Sequence, residues 1–126
     1  MILSTNDFLQ MLYYLKINHR NSLETWSKNP VQLTNPCTYL FSSAATQAFA
    51  DNQVVTFDNL GYAIYTGDIN QDKTVDASDF LVLDPEIQAG LFGYYLGDLN
   101  GDGAVDASDF LTLDPNIQLG VGAAIP

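Results

Sequence analysis

The 126-residue chain carries 15 Asp and Glu against four Lys and Arg, a net charge of −11 at pH 7, with 47% hydrophobic and 15% charged residues. That length and apolar content suit one ordinary domain or two small ones, and a field of that sign excludes nucleic acid and anionic membrane surfaces as partners. A single cysteine, Cys37, and a single histidine, His19, exclude an internal disulfide, a thiolate-rich zinc site and a multi-histidine centre within one chain, and no apolar run reaches the length of a membrane span.

From the N-terminus, Met1 is followed by no basic stretch and FLQMLYYL by no cleavage site, so no signal peptide is read there and the chain reads as the tail of something longer. Residues 13–19 alternate, with Tyr13, Leu15, Ile17 and His19 on one side and Tyr14, Lys16 and Asn18 on the other, which predicts a half-buried strand. A helix capped at Asn6 or Asp7 and running through Phe8, Leu12 and Leu15 is the competing reading. Further strands are predicted around residues 31–33, 38–42, 54–57 and 62–66. Turn chemistry at Asn29-Pro30, Asn35-Pro36, Asp51-Asn52 and Asn59-Leu60-Gly61 separates them, and SSAATQAFAD suggests a helical turn. His19 beside Arg20 and Asn21 lacks the Ser or Cys that a catalytic base would serve, so a structural role is expected. Cys37 is expected to be a small buried hydrophobe. Trp26 either anchors the strand edge or stands exposed for a carbohydrate.

The acids divide the chain. Residues 1–66 hold four acids against three bases, and residues 67–126 hold eleven against Lys73 alone, which places the expected domain boundary between Thr66 and Gly67. The second part is a duplication: GDINQDKTVDASDFLVLDPEIQAG, from Gly67, returns 30 residues later as GDLNGDGAVDASDFLTLDPNIQLG, from Gly97, identical at 17 of 24 positions. Two copies are fewer than the roughly three that a solenoid needs, so a pair about a pseudo-two-fold axis is expected. The fold class predicted is α+β, with a β-rich, partial β-sandwich-like segment over residues 1–66 and two loop–short helix repeats over 67–126.

In the first copy, oxygen-bearing side chains fall at Asp68, Asn70, Asp72, Asp76 and Asp79, and in the second at Asp98, Asn100, Asp102, Asp106 and Asp109. These are positions 1, 3, 5, 9 and 12 of a calcium loop, with the carbonyls of Thr74 and Ala104 at position 7. Calcium is a hard cation that takes six to eight oxygens in a flexible shell, and alternate residues of a tight loop can offer them. Two capping boxes, Asp76 with Asp79 and Asp106 with Asp109, are the competing explanation, but they leave Asp68, Asn70, Asp72 and their counterparts unexplained. Two Ca²⁺ ions are therefore expected. The second site is expected to be the tighter, because position 6, which favours a left-handed glycine, is Gly103 there and Lys73 in the first loop, with Gly101 and Gln71 at position 4. Val75 and Val105 are predicted to pair the two loops through a short β-bridge. Pro85 and Pro115 are predicted to cut each helix to about two turns. Phe80, Leu81, Leu83 and Ile87, with Phe110, Leu111, Leu113 and Ile117, are predicted to form the core between the helices.

The loop pair, over residues 67–120, resembles the dockerin family of duplicated calcium-loop modules found at the ends of secreted bacterial proteins. Asp79 and Asp109 at position 12 are the most telling detail, since ordinary EF-hands carry Glu there and a helix ahead of the loop. The resemblance implies calcium at the residues just named and docking onto a cohesin-like surface protein, with recognition concentrated at positions 10 and 11, Ala77-Ser78 and Ala107-Ser108. The basic residues that many dockerins place along the helix are absent. Residues 13–72, through NHRNSLETWSKNPVQL, YLFSSAATQAFADNQ and YAIYTGDINQD, are similar to the C-terminal ends of large bacterial surface proteins, where a β-sandwich-like segment leads into such loops. The expected function is thus a non-catalytic calcium-binding module, extracellular or at the cell surface, that attaches or presents a longer exported protein as a monomeric part of it. The alternatives are a purely structural calcium clip at the end of a β-sandwich, and the tail of a polysaccharide-degrading enzyme. Aspartates acting as acid and nucleophile on a glycoside would need carboxylates not committed to a cation, and an enclosed sugar cleft.

Overall fold

The computed structural model describes residues 11–126. Short antiparallel strands and two helices give an α+β chain, divided into two compact units. One comprises Met1–Ile17, Thr25–Ala63 and Ala124–Pro126, and the other Asn18–Glu24 and Ile64–Ala123.

In the first unit, β1 (Leu12–Tyr13) pairs antiparallel with β4 (Val31–Gln32), β2 (Lys16–Ile17) with β3 (Thr25–Trp26), and β5 (Val54–Val55) with β6 (Tyr62–Ala63). Exposure alternates from Tyr13 to Asn18, as a half-buried strand requires. Of the competing helix, Leu12 lies in β1 and residues 6–10 fall outside the described residues. These three two-stranded ribbons are what the described residues offer of the expected sandwich. The strand expected at 38–42 is absent. In its place 3₁₀ turns run through Phe41–Ser43, Ala45–Gln47 and Phe49–Asp51, the last two within the expected helical turn. Tyr39 holds this stretch locally: its ring meets Phe41 edge-on at 4.7 Å and its hydroxyl donates to the Gln47 carbonyl at 2.5 Å. Trp26 sits opposite Lys16 in register, half-buried, with the ammonium 5.4 Å from its ring centroid. Cys37 is exposed, contrary to expectation, because residues 34–38 all face solvent and no core lies beneath them.

In the second unit, α1 (Ala77–Ala89) and α2 (Ala107–Leu119) each have 13 residues. Asp76 and Asp106 are N-caps in complete capping boxes with Asp79 and Asp109, and left-handed Gly90 and Gly120 close the C-termini. The helices run through Pro85 and Pro115 instead of stopping before them. The carbonyls that proline deprives of a donor belong to Leu81 and Leu111, residues 73% and 72% exposed, where water can replace the lost bond. Those two leucines are accordingly not core residues: each lies about 200° around the helix from buried Leu83 or Leu113. The core is Leu23, Ile69, Val75, Leu83, Val105 and Leu113, flanked by Ile87 and Ile117, with the Phe80 and Phe110 rings 5.1 Å apart.

The two loops do not bridge each other, as Val75 and Val105 had suggested. Each pairs instead with the segment that follows the other repeat's helix. Val75 N–H donates to Val121 and Ala123 N–H to Lys73, while Val105 N–H donates to Leu91 and Gly93 N–H to Gly103. Both valine side chains are thereby free to enter the core. The loop entrances show the same exchange. A Cβ on Gly67 would stand 2.6 Å from a methyl of Leu113 in α2, and one on Gly97 2.8 Å from a methyl of Leu83 in α1. Glu86 of α1 accepts from Gly97 N–H at 2.8 Å, and Asn116 of α2 donates to the Thr66 carbonyl at 2.8 Å. The same repeat position carries an acceptor where an N–H must be met and a donor where a carbonyl must be.

The second unit starts at Ile64 and also takes in Asn18–Glu24. Leu23 is fully buried in its core and donates its N–H to Tyr65 at 2.8 Å, and Ser22 bridges Thr66. Leu23→Ala should lower the stability of this unit by about 2–5 kcal/mol, as a large-to-small change in a packed core does, whereas exposed Leu111→Ala should stay within about 0.5 kcal/mol of the parent. Urea denaturation followed by helical circular dichroism, which reports α1 and α2, makes the comparison; equal midpoints for the two variants would contradict this packing.

Candidate metal centre

Each loop is built by side-chain oxygens that turn its backbone amides inward. In the first, Asp68 accepts from Asp72 N–H (3.0 Å) and Lys73 N–H (3.1 Å), Asn70 Oδ1 from Asp72 N–H (2.9 Å), and Asp72 from Thr74 N–H (3.0 Å). Asp76 accepts from the amide and hydroxyl of Ser78 at 2.7 and 2.6 Å. Asp79 gathers the amides of Ile69 (2.7 Å), Asn70 (3.2 Å) and Asp76 (2.9 Å), joining the start of the loop to the first turn of α1. The second loop repeats this through Asp98, Asn100, Asp102, Asp106 and Asp109, with one more amide, Gly101 N–H, on Asp98 at 2.8 Å. The loop bridges draw their bonds from Lys73 and Val75, and from Gly103 and Val105. Thr74 and Ala104 therefore sit at non-hydrogen-bonded positions of those bridges, with their carbonyls turned away from the partner segment. Each loop thus contains all six of its expected ligand positions.

Burial within the loops is uneven. Asp79 and Asp109 are 0% exposed, Asp68 2% and Asp98 6%, while the position 3, 5 and 9 residues are exposed. Burial pushes the Asp68 carboxyl above its ordinary range, and the charges of Asp79 and Asp72 push the same way, against the Lys73 and Asp72 amide hydrogen bonds. Asp76 and Asp106 are held below the ordinary carboxylate range by the hydroxyls and amides of Ser78 and Ser108. The nearby cation, Lys73, points its ammonium at Glu24, 3.8 Å away, which removes the repulsion that its place in the loop suggested.

The donor set suits a hard cation. All donors are oxygens, and a carboxylate has about four lone-pair sites; Asp79 and Asp109 use three on amides, and Asp68 uses two. Among the described residues no three His, Cys, Asp or Glu side chains converge as a ready-made cage. The Asn70 amide nitrogen instead joins Asp72 Oδ2 (3.0 Å) to Ser78 Oγ (2.7 Å), and Asn100 does the same with Asp102 and Ser108. A cation would take over what those amide N–H groups now provide.

His19 lies outside the loops, exposed, with Nδ1 3.0 Å from Asn21 Oδ1 and 3.4 Å from Ser22 Oγ. The neighbouring Asn21 is a contributor that spacing did not reveal: its Nδ2 donates to the carbonyls of Leu96 and of Asp98, position 1 of the second loop, at 3.0 and 3.1 Å.

Positions 4 and 6 adopt left-handed backbone in both loops: φ is 59° at Gln71 and 76° at Lys73, against 76° at Gly101 and 86° at Gly103. Gly103→Lys should accordingly cost the second loop roughly 1–2 kcal/mol, which thermal denaturation of the variant against its parent will read. An unchanged midpoint would show that the loop does not require this conformation. No known protein family, curated protein or solved structure matches the chain.

Proposed function

We propose that the second unit binds two calcium ions and serves as a non-catalytic module that attaches or presents a larger exported protein. Asp68, Asn70, Asp72, Asp76, Asp79 and the Thr74 carbonyl would hold the first ion; Asp98, Asn100, Asp102, Asp106, Asp109 and the Ala104 carbonyl would hold the second. The observation that carries this reading is the recurrence, in two loops of unlike residues at positions 4, 6 and 7, of one hydrogen-bond scheme that buries two carboxylates apiece. Buried carboxylates repel one another and lose hydration, and a divalent cation offsets both. Two such ions bring the charge of residues 67–126 from −10 to −6. Calcium would supply that positive charge and tie each loop to its helix. Carboxylates held ionised by a cation are poor proton donors at neutral pH, which favours a non-catalytic role.

An extracellular or cell-surface setting supplies calcium at the millimolar level at which such modules can work. Among the described residues no helix is long and apolar enough to cross a membrane. A cohesin-like partner would meet position 10 more readily than position 11, since the Ser78 and Ser108 hydroxyls are engaged with Asp76 and Asp106. The second reading, a structural calcium clip, is favoured by Leu23, which fills the core of the loop unit from the earlier part of the chain. Partner capture with and without chelator separates docking from the clip.

Chelation should lower the helical melting temperature of the chain, and excess Ca²⁺ should restore it, because a ligand that binds only the folded state stabilises it by mass action. Mg²⁺ should restore it poorly, since it demands a near-octahedral shell and keeps its waters. A melt indifferent to EDTA, or equal rescue by Mg²⁺, would contradict the assignment.

A further inference from the structure

Adjacent residues of the Asn18–Glu24 segment are gripped by opposite loops. On the first-loop side, Gly67 N–H donates to the Asn21 carbonyl at 2.8 Å, Gln71 Nε2 donates to the Ser22 carbonyl at 3.2 Å, and Lys73 faces Glu24. On the second-loop side, Asn21 Nδ2 holds the carbonyls of Leu96 and Asp98, and Arg20 donates to Tyr95 at 2.8 Å with its guanidinium 3.8 Å from the Tyr94 ring centroid. Asn21 is 3% exposed, so these bonds are made out of water, where an unmet carbonyl is costly. Gln71 and Lys73 hold left-handed backbone without being glycine, and both side chains are used on this segment, whereas Gly101 and Gly103 stand at those positions in the second loop.

We propose that Asn18–Glu24, through Asn21 and Ser22, couples the two calcium loops, so that an ion in one raises the affinity of the other. This rests on the calcium reading above. An ion that orders one loop also orders the segment gripping it, and the second loop then meets a partner already fixed. Asn21 and Gln71 are positioning residues here, since neither supplies an oxygen to an ion.

Calorimetric Ca²⁺ titration of the full chain and of its Asp109→Ala variant gives the affinity of the first loop with and without an ion in the second. The ratio of the two should be at least about fivefold in the parent, at the lower end of ordinary coupling, and should fall below about twofold when Asn21→Ala is present in both. A residue that merely stabilised the unit would lower both affinities and leave the ratio alone, and that result would overturn the proposal. Gln71→Gly removes the grip on Ser22 while suiting the left-handed backbone, and should reduce the ratio likewise, which keeps the test open if Asn21→Ala fails to fold. Two ions bound independently by the parent would overturn the coupling alone; a parent that takes up no calcium would overturn the calcium reading together with it.

Discussion

Asp79 and Asp109 are each asked to do two things at once. As the third residue of a helix, each accepts an amide from the N-cap aspartate; as the last oxygen-bearing residue of its loop, each accepts two amides from the loop's beginning. A side chain that holds both ends of a 12-residue loop has to sit at the centre of it, and both are fully buried. Burial of an ionised carboxylate carries a desolvation penalty of several kcal/mol unless charge or hydrogen bonds offset it. Amides meet part of that, and the remaining lone pairs are the opening for a cation. The turn, the helix start and the metal affinity thus follow from one pair of residues.

The repeats answer a second constraint by leaning on each other. Neither repeat contains enough apolar surface to close a core alone, and the contacts that complete each one come from its twin. Leu113 covers Gly67 and Leu83 covers Gly97, each loop pairs with the segment beyond the other helix, and Glu86 and Asn116 latch the opposite entrances. Glycine is required at both entrances because a helix side chain of the other copy occupies the space. The exchange also accounts for the helices passing their prolines: the backbone must continue to Gly90 and Gly120 for residues 91–93 and 121–123 to reach the loops.

Much of this was legible in the residues. The period-two alternation of 13–19, the capping boxes, the left-handed positions 4 and 6, and burial of Leu83 and Leu113 all follow from local chemistry. What local chemistry does not report is which distant segment answers it. Val75 and Val105 read as a bridge between loops because a valine beside a loop carbonyl favours pairing, but the pattern does not identify the partner. Leu81 and Leu111 have helical spacing with Phe80 and Ile87, yet only the position of the second helix decides which stripe is covered. Asn18–Glu24 reads as the end of a strand and a charged turn, and its burial comes from backbone carbonyls and a leucine-sized space 40 to 80 residues away. Thr25–Trp26 was missed for a similar reason: two residues that pair with Lys16–Ile17 have no period of their own.

Beneath all of this lies the claim that two buried carboxylate pairs are balanced by two divalent cations. Native mass spectrometry of the folded chain, exchanged from calcium-containing into volatile buffer, addresses it most directly. The account predicts a dominant species carrying two calcium ions, with one lost in Asp109→Ala and one in Asp79→Ala. A folded chain that carries none, or whose bound calcium is indifferent to both substitutions, would contradict it.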